Sequence, residues 1–84
     1  MRISPRIIWR QIDGEVFVID PLNEKIYEMN ETASFVFKMI KKGLDIERIV
    51  KKMIDCYDVK EDKCRDDVLE IIEYLLRNEV IDEE

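Results

Sequence analysis

Histidine is missing from the sequence altogether, and with it the commonest general base and metal ligand. Only Cys56 and Cys64 remain as soft ligands, so no zinc site built by this protein alone is expected, and no resident cofactor. Two glycines leave no glycine-rich phosphate loop, and no nucleophile stands beside a base; no catalytic residue set is expected, and the chain does not read as an enzyme. No apolar run approaches the roughly 20 residues of a membrane span, so no membrane partner is expected. The opening "MRISPRIIWRQ" lacks the apolar stretch of a signal peptide, which makes the cytoplasm the expected location. Positive charge is in the minority: the formal net charge is −6, which argues against a sequence-independent grip on phosphate backbones and against a nucleic-acid partner. In a reducing compartment the two cysteines read as free thiols; the other reading is a disulfide clipping two helices together.

What is present is 46% apolar and 40% charged residues, the balance of a globular domain with one modest core, spanning residues 1–84. "IIWRQI" and "EVFVID" flank Asp13-Gly14, a strong hairpin signal because both turn residues tolerate positive φ. A two-residue loop sets Ile12 opposite Glu15, Arg10 opposite Phe17, Trp9 opposite Val18 and Ile8 opposite Ile19. "DPLNE" is the next turn, with Pro21 fixing φ and Asn23 suited to a left-handed backbone. A short third strand, Lys25–Met29, places Lys25, Tyr27 and Met29 on one face and Ile26 and Glu28 on the other. Nothing later reads as a fourth strand long enough to cover it.

Three helices follow. Asn30 caps the first, whose stripe is Ala33, Val36, Phe37 and Ile40, and Gly43 ends it. Asp45 caps the second, with Ile46, Ile49, Val50, Met53 and Ile54 on its stripe. The third runs from about Glu61 to Asn78, and Val80 and Ile81 dock back on the core. The order predicts an α+β, winged-helix-like domain: a three-stranded antiparallel sheet followed by three helices. The third helix is too apolar for one seam. Cys64, Val68, Ile71 and Leu75 form one stripe, and Leu69, Ile72 and Leu76 extend it past the roughly 100° of a single packed face. Either the helix is central and covered on both sides, or the extra stripe lines a groove where an extended peptide adds to the strand edge.

The segments "DGEVFVIDPLNEKIYEMNETA", "IERIVKKMIDCYDV" and "DVLEIIEYLLRNEVI", in this order and spacing, resemble the PqqD-like proteins, the recognition elements for ribosomally made precursor peptides. Met29 stands where leucine is usual in that family, and Glu79 where glycine is common. The resemblance implies a non-catalytic peptide chaperone. Such proteins hold the precursor's leader as an added strand between the third strand and third helix. They present the remainder to a modifying enzyme, often a radical S-adenosylmethionine protein. Carried over by position, Lys25, Ile26, Tyr27, Glu28 and Met29 supply the strand. Arg65, Leu69, Ile72 and Leu76 are the helix wall by projection, with Asp67 and Tyr74 as the alternative wall.

Two rival readings compete. A winged helix–turn–helix would send the third helix into DNA, but Glu61–Asn78 holds six acids against three bases, which phosphates would repel. A dimerisation module would use the other open edge, the first strand with Ile8 and Trp9, to form a homodimer.

Overall fold

Asp13 and Gly14 reverse the chain with φ of 52° and 85°, the positive angles a type I′ hairpin demands. The computed structural model describes residues 1–83. In it the turn joins strand β2 (Ile8–Ile12) to β3 (Glu15–Asp20), and β4 (Lys25–Glu28) completes an antiparallel sheet in the order β2-β3-β4. The register is the expected one, Ile12 with Glu15 through to Ile8 with Ile19. Helices α1 (Glu31–Lys41), α2 (Ile46–Cys56) and α3 (Glu61–Arg77) follow. The predicted α+β order therefore stands, three-stranded sheet and then three helices.

Central strand β3 divides its residues by the period-2 pleat. Val16, Val18 and Asp20 are buried against the helices, while Phe17 and Ile19 lie on the other face and are half-buried. The core is closed by Val36, Phe37 and Ile40 of α1, Ile49, Val50 and Met53 of α2, and Cys64, Val68, Ile72 and Leu75 of α3. Trp9 packs edge-on to Phe37 with ring centroids 5.5 Å apart, so it is part of the packing rather than an anchor for a partner. Cys56 is exposed and Cys64 buried, and both are free thiols. The α1 and α2 caps form as the sequence predicts: Asn30 Oδ1 accepts from the Ala33 N–H at 2.8 Å and Asp45 Oδ1 from the Arg48 N–H at 2.9 Å.

The β3–β4 turn is built differently from the expectation. Glu24, not Asn23, takes the left-handed conformation, with φ 54°. Asn23 instead donates from its backbone N–H (3.3 Å) and side-chain amide (2.9 Å) to the Asp20 carboxylate, an Asx-type turn. The buried Asp20 also receives a two-pronged grip from Arg6, Nε to Oδ1 at 3.1 Å and Nη2 to Oδ2 at 3.0 Å. Arg6, and after it Asn23, holds this carboxyl well below the usual carboxylate range.

A second, two-stranded sheet pairs β1 (Arg2–Ile3) with β5 (Ile81–Asp82). Ser4 continues it, its N–H donating to the Val80 carbonyl at 2.9 Å. Val80 and Ile81 are fully buried, as expected of the C-terminal docking segment. The consequence lies elsewhere: the only strand formed after α3 among the described residues pairs with the N-terminus and leaves β4 alone.

Candidate functional site

Strand β4 has one neighbour, β3. The pairing parity decides which of its backbone groups are spent. Met29 donates its N–H to the Val16 carbonyl at 2.9 Å. In place of the reciprocal bond, the Ser34 hydroxyl sits between the partners: it accepts from the Val16 N–H at 2.9 Å and donates to the Met29 carbonyl at 3.1 Å. Inward-facing groups recur every second residue in an antiparallel ladder, so Tyr27 and Lys25 also point their N–H and C=O at β3. The groups of Ile26 and Glu28 point away from the sheet. Those two residues present the unpaired donors and acceptors.

Beside that edge runs α3, yet no Cα of β4 comes within 8 Å of a Cα of α3. The gap is spanned by side chains. Tyr27, on the inner face, meets Tyr74 edge-to-face with centroids 6.1 Å apart, and its hydroxyl reaches Asn78 Oδ1 at 3.4 Å. Burial pushes the Tyr27 phenol above its usual pKa, which keeps it a neutral donor. The floor and far wall of the groove are Ala33, Ile71, Tyr74 and Leu75, with Glu70 and Arg77 at the rim. An extended segment laid here would find hydrogen-bonding backbone on one side and apolar side chains on the other.

The structure separates the residues that sequence reasoning grouped together. Lys25, Ile26, Tyr27 and Glu28 form β4 as expected, but the strand stops short of Met29, which is buried and whose backbone donor is already used. Arg65, Leu69, Ile72 and Leu76 do not face β4. They line a different groove on the opposite flank of α3, against Asp45, Ile46 and Glu47 at the start of α2. There Arg65 is tied into ion pairs with Glu47 and Glu61. Ile72 belongs to the core, because the buried stripe is Cys64, Val68, Ile72 and Leu75. That stripe is one position removed from the predicted one, and the shift turns Ile71 out toward β4 and Leu69 away from it. Of the alternative wall, Tyr74 is in the β4 groove. Asp67 is not: it pairs with Lys63 at 2.9 Å and lies by Thr32 and Tyr57. Asn30, Ala33, Glu70, Ile71, Leu75 and Arg77 line the groove without having been among the expected site residues. Tyr74 was the usable signal, since Ile71 sits one turn before it on the same face.

Among the described residues no cluster of three or more Cys, Asp or Glu side chains is placed to hold a metal ion. No helix is long and apolar enough to cross a membrane.

Comparison with known proteins gives two results. The family model described as coenzyme PQQ synthesis protein D (PqqD) matches residues 15–81. Two solved structures share the fold. TbiB1 in complex with the TbiA(beta) leader peptide superposes with a TM-score of 0.94 at 20% identity, covering 100% of this chain and 98% of that one. Lasso peptide synthetase B1 complexed with the leader peptide gives 0.85 at 19%, covering 93% and 92%. No curated protein sequence matches the chain.

Proposed function

The chain belongs to the PqqD family, and from that premise we propose that it is a non-catalytic recognition module. It takes the leader of a ribosomally made precursor peptide as a strand added to β4, and presents the rest of the peptide to a separate modifying enzyme, a radical S-adenosylmethionine protein or one of another type. The observation that carries this reading is the unspent backbone of Ile26 and Glu28 beside an apolar groove. Strand addition gives affinity through main-chain bonds, and pockets for alternate side chains give selectivity. Ile71, Tyr74 and Ala33 are the apolar side of that arrangement; Glu70 and Arg77 are its charged rim. An open edge is ordinarily an aggregation hazard; four residues of length and the charges of Lys25 and Glu28 keep this one usable. The two solved structures named above are complexes with leader peptides, which supports the same use here. Two free thiols suit a reducing cytoplasm.

The test is a titration of the protein with the leader half of a precursor encoded beside its gene, followed by backbone amide shifts. Shifts are expected to concentrate at Ile26, Glu28, Ile71 and Tyr74. Saturating shifts confined to Leu69 and Leu76 would put the peptide in the other groove and defeat the assignment.

A further inference from the structure

The three-stranded sheet has a second face, and none of the described elements packs on it. Register places Ile8, Ile19 and Ile26 in one row across β2, β3 and β4, and Arg10, Phe17 and Glu28 in the next. Directly opposed residues share a face, and this is the face away from the helices, since Val16 and Val18 point inward. Ile26 is 74% exposed, Ile12 55% and Ile8 44%. Exposed isoleucines scattered singly need no explanation, but a contiguous patch on one sheet face does.

We propose that this face docks on a second copy of the same chain, sheet on sheet, about a two-fold axis running along β3. The argument is charge complementarity. Arg10 and Glu28 flank Phe17 on opposite outer strands, two strand spacings or about 10 Å apart. Neither takes part in an ion pair among the described residues; the Arg10 guanidinium bonds the Trp9 carbonyl at 3.0 Å. A two-fold axis along the central strand exchanges the outer strands. It carries Arg10 of each copy over Glu28 of the other, Ile8 over Ile26, and leaves Phe17 and Ile19 facing themselves. One patch thereby matches its own copy, as an isologous interface must. Glu15, at the hairpin end of β3, would face its own image, but the roughly 30° crossing of packed sheets carries the two carboxylates apart at the wet rim. β4's free edge lies outside this contact, so leader binding and dimerisation are compatible, and neither idea rests on the other.

Size sets the strength. Three strands about 4.8 Å apart and four residues deep give a face of a few hundred Å², below the roughly 800 Å² per partner of a standard interface. The dimer is therefore weak, with a Kd on the order of 0.1–1 mM.

Sedimentation equilibrium of the full chain between about 20 µM and 1 mM tests it, the range set by that expected affinity. The weight-average mass should rise from 10.1 kDa toward twice that value. Ile26→Lys and Arg10→Glu should each hold the chain monomeric. Arg10→Glu combined with Glu28→Arg should restore association, because the swapped charges match again. A wild-type mass that stays at 10.1 kDa, association that survives Ile26→Lys, or a double reversal that does not recover would each overturn the proposal. Independently of any variant, concentration-dependent amide shifts in the wild type should fall on Ile8, Phe17, Ile19 and Ile26. Shifts confined to the backbone of β2 or β4 would mean edge-to-edge pairing and would equally overturn it.

Discussion

Helix α3 has a groove along each flank, of about 720 Å³ beside β4 and about 710 Å³ beside the start of α2. Each has an apolar wall from α3, Ile71 and Tyr74 on one side, Leu69 and Leu76 on the other. Size and greasiness do not choose between them. Their opposite walls do. Beside β4 the wall is strand backbone with spare donors and acceptors at Ile26 and Glu28. Beside α2 it is a set of side chains, Ile46 among Asp45 and Glu47, and the spare backbone there is only the first-turn N–H donors of a helix, with no alternating acceptors for a strand to pair with. A peptide entering the second groove would desolvate its N–H groups with no main-chain acceptor in return, at about 1–3 kcal/mol for each group left unpaired. Apolar surface alone does not make a peptide site; an unfinished ladder beside it does.

Removing that ladder is the strongest way to break the contrast. Glu28→Pro deletes an outward donor and spares the β3–β4 bonds, since proline is tolerated on a strand edge when its missing N–H faces solvent. The fold should survive, while leader affinity falls roughly 5- to 150-fold, the equivalent of one unpaired group. Met29→Pro deletes the inward bond to Val16 and should cost the domain itself at least about 1–3 kcal/mol out of a total of roughly 4–13. Calorimetric binding and thermal melts of the pair separate the cases. If Glu28→Pro binds as tightly as wild type, main-chain pairing is not the mode of recognition.

This parity is also where sequence reading reached its limit. The hairpin, its register and the three helices were legible because Asp-Gly, Asn30, Asp45 and Gly43 fix backbone geometry locally. The stripe of α3 was legible as excess, but not in phase. Cys64, Val68, Ile71 and Leu75 and the observed Cys64, Val68, Ile72 and Leu75 differ at one position, and both satisfy helical periodicity. Which flank meets β4 depends on how α3 crosses the sheet, and no local pattern encodes that. The β1–β5 sheet was illegible for a simpler reason: two residues per strand carry no period to detect.

The frame that holds β4 can be loosened without touching either groove. Asp20 sits at the end of β3, gripped by Arg6 and Asn23. Its folded pKa is depressed below the unfolded value of roughly 3.9. A depressed carboxyl stabilises the fold above the unfolded pKa, and that contribution drains away as pH falls through the folded one. Asp20→Asn should therefore melt well below wild type at neutral pH, and the gap should narrow as pH drops below about 4. Paired melts from pH 7 to about 2 check this; a gap constant across the range would show that Asp20 gains nothing from Arg6.

The side-chain walls give a smaller and more pointed comparison. Ile71→Asp puts a carboxylate into the β4 groove and should weaken leader binding roughly 10- to 100-fold, the loss of one buried aliphatic contact plus a desolvated charge. Leu69→Asp, on the other flank and 41% exposed, should leave both fold and affinity within about two-fold. If Leu69→Asp abolishes binding and Ile71→Asp does not, the leader occupies the α2 groove and the backbone argument fails.

The smallest effect belongs to the turn that both flanks share. Helices α1 and α3 end in the same motif. Gly43 donates to the Ile40 carbonyl at 2.9 Å and Leu44 to the Met39 carbonyl at 3.1 Å; Glu79 donates to Leu76 at 3.0 Å and Val80 to Leu75 at 2.9 Å. Both are Schellman closures, and both need a left-handed residue. At α1 that residue is glycine, with φ 89°; at α3 it is Glu79, with φ 58°. A side chain in this conformation costs about 1–2 kcal/mol, partly offset because glycine loses about 0.4–1 kcal/mol more on folding. Glu79→Gly should therefore raise stability by up to about 1.6 kcal/mol and leave leader affinity unchanged, since Glu79 itself lines neither groove. A denaturant midpoint that falls instead would mean that the Glu79 side chain supplies more to the β1–β5 corner than its backbone strain takes away.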